Sequence, residues 1–233
     1  MARGTGGRVW DLPIRLFHWS LVVLVLVLWL TGEFGGFDIT LTLPGKGSTY
    51  ISNMDVHALA GQGVFILVIF RLLWGLWGST TARFSHFVRG PSAVLAESRQ
   101  LLKGKLHTSV GHNPLGGAMI VLLLLLLAGQ AISGMFAADD FFFEGPLVHL
   151  VSEDTSDRLT GFHHLLFSAL QALILVHILA LFYYLVRGKN LIRPMVTGNS
   201  LEEGIADLKF SSGWIALVTL IVSAALLALL RSL

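Results

Sequence analysis

Five apolar runs divide the chain, each long enough to cross roughly 30 Å of hydrocarbon as a helix of about 20 residues. They fall near Arg15–Gly32, Val56–Gly78, Leu115–Ala137, Thr160–Val186 and Gly213–Leu230. Polar, Gly- and Pro-bearing segments separate them, and the pattern predicts helices throughout. Asn113 followed by Pro114 opens the third run as an N-cap with proline in the first helical position. The fifth run contains no histidine, unlike the first, second and fourth, and reads as an addition to a four-helix unit. The expected organisation is a four-helix unit over residues 1–197, then a linker and extra helix over 198–233.

Composition agrees with this pattern. With 54% hydrophobic and 13% charged residues and a mean hydropathy of +0.74, the chain is too apolar for a soluble domain. The expected fold class is all-α: an integral membrane four-helix bundle plus a fifth C-terminal transmembrane helix. The first run follows a basic arm with no small-residue cleavage site, so it is expected to be an uncleaved helix. With no cysteine in the chain, disulfides, iron–sulfur clusters, thiolate zinc sites and covalent c-type haem are excluded. Any metal or cofactor must rest on histidine, carboxylate or methionine.

Charge orients the helices. Arg3, Arg8 and Arg15 precede the first run, Arg83, Arg89, Arg99, Lys103 and Lys105 follow the second, and Arg187, Lys189, Arg193 and Lys209 follow the fourth. These twelve of the sixteen basic residues share one side, which the positive-inside rule makes cytoplasmic. The opposite loops hold Glu33, Asp38, Asp55, Asp139, Asp140, Glu144, Glu153, Asp154 and Asp157 against Lys46 and Arg158. The N-terminus is thus expected in the cytoplasm and the C-terminus in the periplasm of a bacterial inner membrane. An acidic outer face would steer a basic partner toward it, although lysine and arginine depletion there also follows from topology alone.

The nine histidines sort by depth. His86 and His107 lie in the cytoplasmic loop, His149 in the outer loop and His112 just before the third run, leaving His18, His57, His163, His164 and His177 within spans. An α-helix turns about 100° per residue, so His163 and His177, fourteen apart, come within about 40° of one another. His164 points nearly opposite to His177. The rise of about 1.5 Å per residue separates His163 from His177 by about 21 Å, one near each membrane surface. At matching depths on other helices stand His57, near the outer end of the second run, and His18, near the inner end of the first. The pairs are His57 with His163 and His18 with His177. Two bis-histidine sites at two depths suit two haem b groups, each with neutral imidazole on both faces of the iron.

The residues also carry a resemblance. The segments VWDLPIRLFHW, DVHALAGQGVFILVIFRLLWGLWGSTTARFSHF and GHNPLGGAMI, with the fourteen-residue histidine spacing of the fourth run, resemble the bacterial cytochrome b561 and nickel–iron hydrogenase b-type cytochrome family. The resemblance spans about Val9 to Thr197 and implies a four-helix, two-haem membrane cytochrome passing electrons between a protein partner and quinone. The family's axial ligands fall on His18, His57, His163 and His177, and the fifth run departs from its four-helix pattern.

Other residues are candidates for cofactor contact. Arg71 lies fourteen residues from His57 on the same helical face, near the inner depth, where it either balances a haem propionate or snorkels to the interface. Arg15, one turn from His18, has the same choice. His112 and Asn113 at the mouth of the third run offer hydrogen bonds to a quinone headgroup, a candidate further ligand, while capping alone accounts for Asn113. Gly61, Gly129 and Gly134 allow close approach of a porphyrin or a neighbouring helix. His164 either bonds a propionate or fills an interface.

The leading expectation is an electron-transfer subunit between an outer redox protein, a hydrogenase or c-type cytochrome, and the quinone pool. The alternative is a stand-alone oxidoreductase acting on a small molecule such as superoxide. A proton or metal transporter is disfavoured because all fourteen acids can be placed outside the span cores. Membrane lipid is an expected partner, nucleic acid is not, and homo-oligomerisation stays open.

Overall fold

A computed structural model describes residues 7–35, 38–43, 47–106, 109–139, 143–200 and 208–233. Arg3, Lys46, His107 and Asp140 lie outside the described residues. A two-residue strand β1 (Gly7–Arg8) leads into α1 (Leu12–Glu33), then a hairpin of β2 (Ile39–Leu43) and β3 (Gly47–Ile51), then α2 (Asn53–Trp77). The short α3 (Phe84–Phe87) and the twelve-residue α4 (Pro91–Leu102) precede α5 (Pro114–Met135). After α5 come α6 (Glu153–Val186), α7 (Ile192–Thr197), β4 (Asn199–Ser200) and α8 (Gly213–Leu230).

The five expected spans are α1, α2, α5, α6 and α8, each long and apolar enough to cross a membrane. Asn113 caps α5, its Oδ1 accepting from Gly116 N at 2.7 Å, with Pro114 following. Ser52 opens α2 through a reciprocal capping box with Asp55. The fourth span departs most from expectation. Helix α6 starts at Glu153 rather than Thr160 and runs 34 residues. Its first two turns are polar and give no hydropathy signal, yet Glu153 and Asp154 favour the positive helix start.

Backbone packing runs α1 on α2, α2 on α5 and α5 on α6, while α8 lies against α2; α6 has no extensive contact with α1 or α2. Helix α6 therefore packs along α5 and approaches α2 through side chains such as His163. One core joins Val64, Phe65 and Val68 of α2 to Leu127 and Ala131 of α5, Leu170 of α6 and Leu227 of α8. A second, at the basic end, gathers Trp10, Ile14, Phe70, Trp74, Ala82 and Ala216.

At the basic end, β1 pairs with β4, Val9 N and Trp10 N donate to Gly198 O, and Thr81 Oγ1 donates to Val9 O at 2.6 Å. Helix α8 is tied in by Trp77 Nε1 donating to Thr219 Oγ1 at 3.1 Å and Thr80 N donating to Lys209 O at 2.9 Å. At the centre, the buried Asp11 accepts from Ile14 N (2.8 Å) as the α1 N-cap and from Trp74 Nε1 (3.0 Å) of α2. A buried acceptor serving two buried donors makes Asp11 costly to remove. Asp11→Ala should lower stability by about 2–3 kcal/mol and Asp11→Asn, which keeps one acceptor oxygen, by less. Thermal unfolding in detergent reads the difference.

Candidate functional site

On α6, His163 and His177 belong to the partly buried stripe that includes Leu166, Phe167, Leu170 and Ile174, whereas His164 is exposed. His163 faces His57 of α2, with ring centroids 6.4 Å apart and planes at 66°. Two imidazoles bound to opposite sides of one metal, each at a metal–nitrogen distance of about 2 Å, need centroids about 6 Å apart.

Each ring of this pair is held from behind by a neighbouring helix. Thr31 of α1 donates its hydroxyl proton to Val27 O (2.8 Å), so its oxygen accepts from His57 Nδ1 at 2.9 Å. His163 Nδ1 donates to Gln130 O of α5 at 3.0 Å, with Ser133 Oγ 3.2 Å away. Both Nδ1 atoms thus carry the proton, and both Nε2 atoms keep the lone pair that a metal requires. His163 Nε2 accepts from Gln130 Nε2 at 2.9 Å. Glycine lies next to each anchor: a Cβ at Gly32 would stand 3.1 Å from His57 Cε1, and one at Gly134 would stand 3.0 Å from His163 Cε1. Gly129 admits Leu166 instead, and Gly61 has only ordinary contact with Leu28.

At the basic end, His18, His177 and Arg71 all lie within electrostatic reach of His112, and His18 lies within reach of His177. His18 Nδ1 is buried without a hydrogen-bond partner among the described residues, as are Arg71 Nη1 and Arg15 Nε. Arg71 is 3% exposed, so it does not snorkel. Its guanidinium lies over Phe84 (4.9 Å) and Phe87 (5.6 Å), a cation–π clamp that leaves an N–H group for an anionic partner. Arg15 packs beside Gly198. His112 sits between Trp10 (4.6 Å) and Phe87 (5.2 Å). Asn113 is fully used as a donor, giving its Nδ2 protons to Glu97 Oε1 (3.2 Å) and Tyr184 Oη (3.0 Å).

The sequence-predicted histidines therefore gather in two places, one at each end of α6. No group of three or more metal-ligating side chains occurs among the described residues, and His57 and His163 face each other as a pair. The donor set and the orphaned guanidinium and imidazole nitrogens fit an iron porphyrin with acidic side groups. Sequence reasoning did not identify Thr31, Gln130 and Ser133, which hold the outer pair.

The sequence model of the family described as prokaryotic cytochrome b561 matches residues 9–198. The chain belongs to this family. Members are b-type cytochromes, so this prokaryotic cytochrome b561 is an all-α, multi-pass membrane protein of electron transfer that binds haem b. A probable Ni/Fe-hydrogenase B-type cytochrome subunit of Rhizobium leguminosarum bv. viciae is 27% identical over 219 residues, covering 85% of this chain and 90% of the relative. The corresponding subunit of Azotobacter vinelandii is 28% identical over 222 residues, covering 83% and 88%. A probable Ni/Fe-hydrogenase 1 B-type cytochrome subunit of Escherichia coli K12 is 26% identical over 137 residues, covering 54% and 57%. No solved structure matches the chain significantly.

Burial pushes the His112 imidazole down to about 3, and the charges of Arg71, His177, His86 and His18 push the same way. Below about pH 6.5 an unfolded chain takes up a proton that folded His112 refuses, so stability falls as pH drops from there toward 3. His112→Gln should lose less stability than wild type between pH 7 and pH 5, read by denaturant titration in detergent.

Proposed function

We propose that this cytochrome is the electron-transfer subunit of a nickel–iron hydrogenase, carrying two haem b groups and passing electrons from a partner on the acidic face to quinone near the basic face. Residues 1–197 form the di-haem unit and residues 198–233 an added helix. The acidic face is periplasmic, with the N-terminus in the cytoplasm and the C-terminus outside the inner membrane. The observation that carries the reading is the facing pair His57 and His163, their ring centroids 6.4 Å apart and both with Nδ1 anchored, which leaves Nε2 of each as the ligand atom. The hydrogenase as partner is supported by the relatives, which are probable Ni/Fe-hydrogenase B-type cytochrome subunits.

Haem b supplies a one-electron ferric–ferrous couple at each site. The chain fixes where each couple sits and how easily it accepts an electron. His57 and His163 hold the outer group, with Thr31 and the Gln130 carbonyl raising the basicity of their imidazoles. His18 and His177 hold the inner group, and Arg71, helped by Arg15, neutralises its propionates. His112 faces the quinone headgroup, and Asn113, already committed to Gly116, Glu97 and Tyr184, fixes the loop that presents it. The same fold could dock a c-type cytochrome in place of a hydrogenase, and the acidic face suits a basic docking surface in either case.

Pyridine haemochrome analysis of the purified protein should give two haem b per chain. His57→Ala or His163→Ala should leave one, while His164→Ala keeps both. Loss of a haem in His164→Ala but not in His163→Ala would overturn the assignment.

Arg71→Leu should lower the midpoint potential of one haem by on the order of 50–100 mV, because a nearby positive charge favours the more electron-rich ferrous form. Redox titration should find the other haem almost unmoved; equal shifts at both, or none, would remove Arg71 from the inner site.

A further inference from the structure

At the acidic end of the molecule, the start of α2, the end of α8 and the segment between α5 and α6 enclose an open cavity of about 470 Å³. One wall is the face of α2 that carries Asp55, Leu59 and Gln62, at positions i, i+4 and i+7. Helical rise spreads these three over about 10 Å of depth, starting in the first turn of the span. Phe143 and Glu144 form a second wall, and Arg231 at the end of α8 forms the third.

The walls are fixed in place. Gly145 N donates to Ala137 O (2.8 Å) and Leu147 N to Met135 O (2.9 Å), so the segment bearing Phe143 and Glu144 is folded back on the end of α5. Phe143 N donates to Asp139 Oδ1 at 2.8 Å. Arg231 Nη1 donates to Gln62 Oε1 at 3.0 Å, which draws the guanidinium toward α2. Asp55 gives Oδ2 to the capping box with Ser52, and its Oδ1 has no hydrogen-bond partner among the described residues. Among the same residues Arg231 makes no ion pair with Asp55 or Glu144, although all three line one cavity. Leu59, between the polar groups of α2, is 70% exposed.

Two carboxylates and one guanidinium spaced around a cavity at the ends of two membrane spans are complementary to a zwitterion. We propose that this cavity binds the phosphoethanolamine headgroup of a bilayer phospholipid. The phosphate accepts from the guanidinium N–H groups that Gln62 leaves free, and the primary ammonium donates its three N–H groups toward Asp55 and Glu144. Leu59 and Phe143 border the path by which the glycerol and acyl chains leave. The 10 Å of depth covers the headgroup layer, roughly 5–7 Å thick on each side, and the first part of the hydrocarbon. A quaternary ammonium has no N–H to give a carboxylate and is held by aromatic faces, of which this lining offers Phe143 alone. A headgroup with a phosphate and no ammonium leaves both carboxylates uncompensated. The proposal rests on the membrane-spanning fold and not on the electron partners.

The test uses the whole purified protein with its haem, freed of lipid by detergent exchange. Native mass spectrometry then follows binding of palmitoyl-oleoyl phosphatidylethanolamine, phosphatidylcholine or phosphatidylglycerol. One phosphatidylethanolamine per chain should bind at least about tenfold more tightly than either of the others, the equivalent of one charge-assisted hydrogen bond. Glu144→Gln should erase the preference over phosphatidylcholine, because it removes an acceptor for the ammonium alone. Arg231→Gln should weaken both lipids by about tenfold, because both carry the phosphate. Both side chains are exposed, so each variant should keep its haem content and thermal midpoint in detergent. Water-soluble glycerophosphoethanolamine should bind far more weakly than the lipid; equal binding would make a free phosphoethanolamine compound, and not the bilayer, the occupant. Undiminished preference in Glu144→Gln, or undiminished affinity in Arg231→Gln, would overturn the proposal. Equal binding of the three lipids to wild type would overturn it too, and would leave the cavity to a basic side chain of a protein partner.

Discussion

The fold depends on one constraint: in hydrocarbon, no imidazole nitrogen can be left to water. An imidazole has two ring nitrogens, and each needs a partner from within the protein or its cofactor. At the outer pair the structure answers half of that need with backbone and hydroxyl oxygen atoms at Nδ1, from Thr31 and from the Gln130 carbonyl. Those anchors come from α1 and α5, while the rings come from α2 and α6. Four helices are thus committed to one small volume, and their relative rotation about their own axes is fixed by it. Hydrophobic packing alone could not do this, because lipid tails solvate leucine as well as another helix does.

This constraint also gives the two glycines their meaning. An imidazole anchored to an oxygen on a neighbouring helix has to lie close against that helix, and Gly32 and Gly134 stand where a Cβ would crowd Cε1. Each follows its hydroxyl residue directly, as Thr31-Gly32 and Ser133-Gly134. The hydroxyl supplies polarity and the glycine supplies room, at equivalent positions near the outer ends of α1 and α5.

Most of this architecture was legible in the sequence because it obeys long, periodic rules. The five spans follow from hydropathy, and the inward face of α6 follows from the phase of His163 and His177. What escaped was either local or carried by polar residues. The start of α6 at Glu153 lies in two polar turns, although acids in a first turn were an available signal. The hairpin of β2 and β3 was also open to reading, since Ile39-Thr40-Leu41-Thr42 alternates with period two. Helix α4 is short and amphipathic, and a hydropathy scan passes over it. Thr31, Gln130 and Ser133 have no spacing that marks them, because their roles exist only once α1 meets α2 and α5 meets α6.

The fifth helix shows how an added element can be joined to such a bundle without disturbing its interior. Its buried residues Ala216, Thr219, Ser223 and Leu227 lie along one face, and Thr219 and Ser223 return their hydroxyl protons to the helix's own carbonyls, at Ile215 and Thr219. The lone pair left on Thr219 then accepts from Trp77 at the end of α2. The helix therefore brings no unsatisfied polar group to the interface, and it leans on the side of the bundle, with Arg231 reaching Gln62 at its far end. Its near end is hydrogen-bonded to the loop after α2 at Ser79 and Thr80, which leads through Thr81 to Phe84 and Phe87. Those phenylalanines clamp Arg71, and Phe87 borders His112, so a helix that contributes no histidine still bears on the electrostatics of the inner cluster.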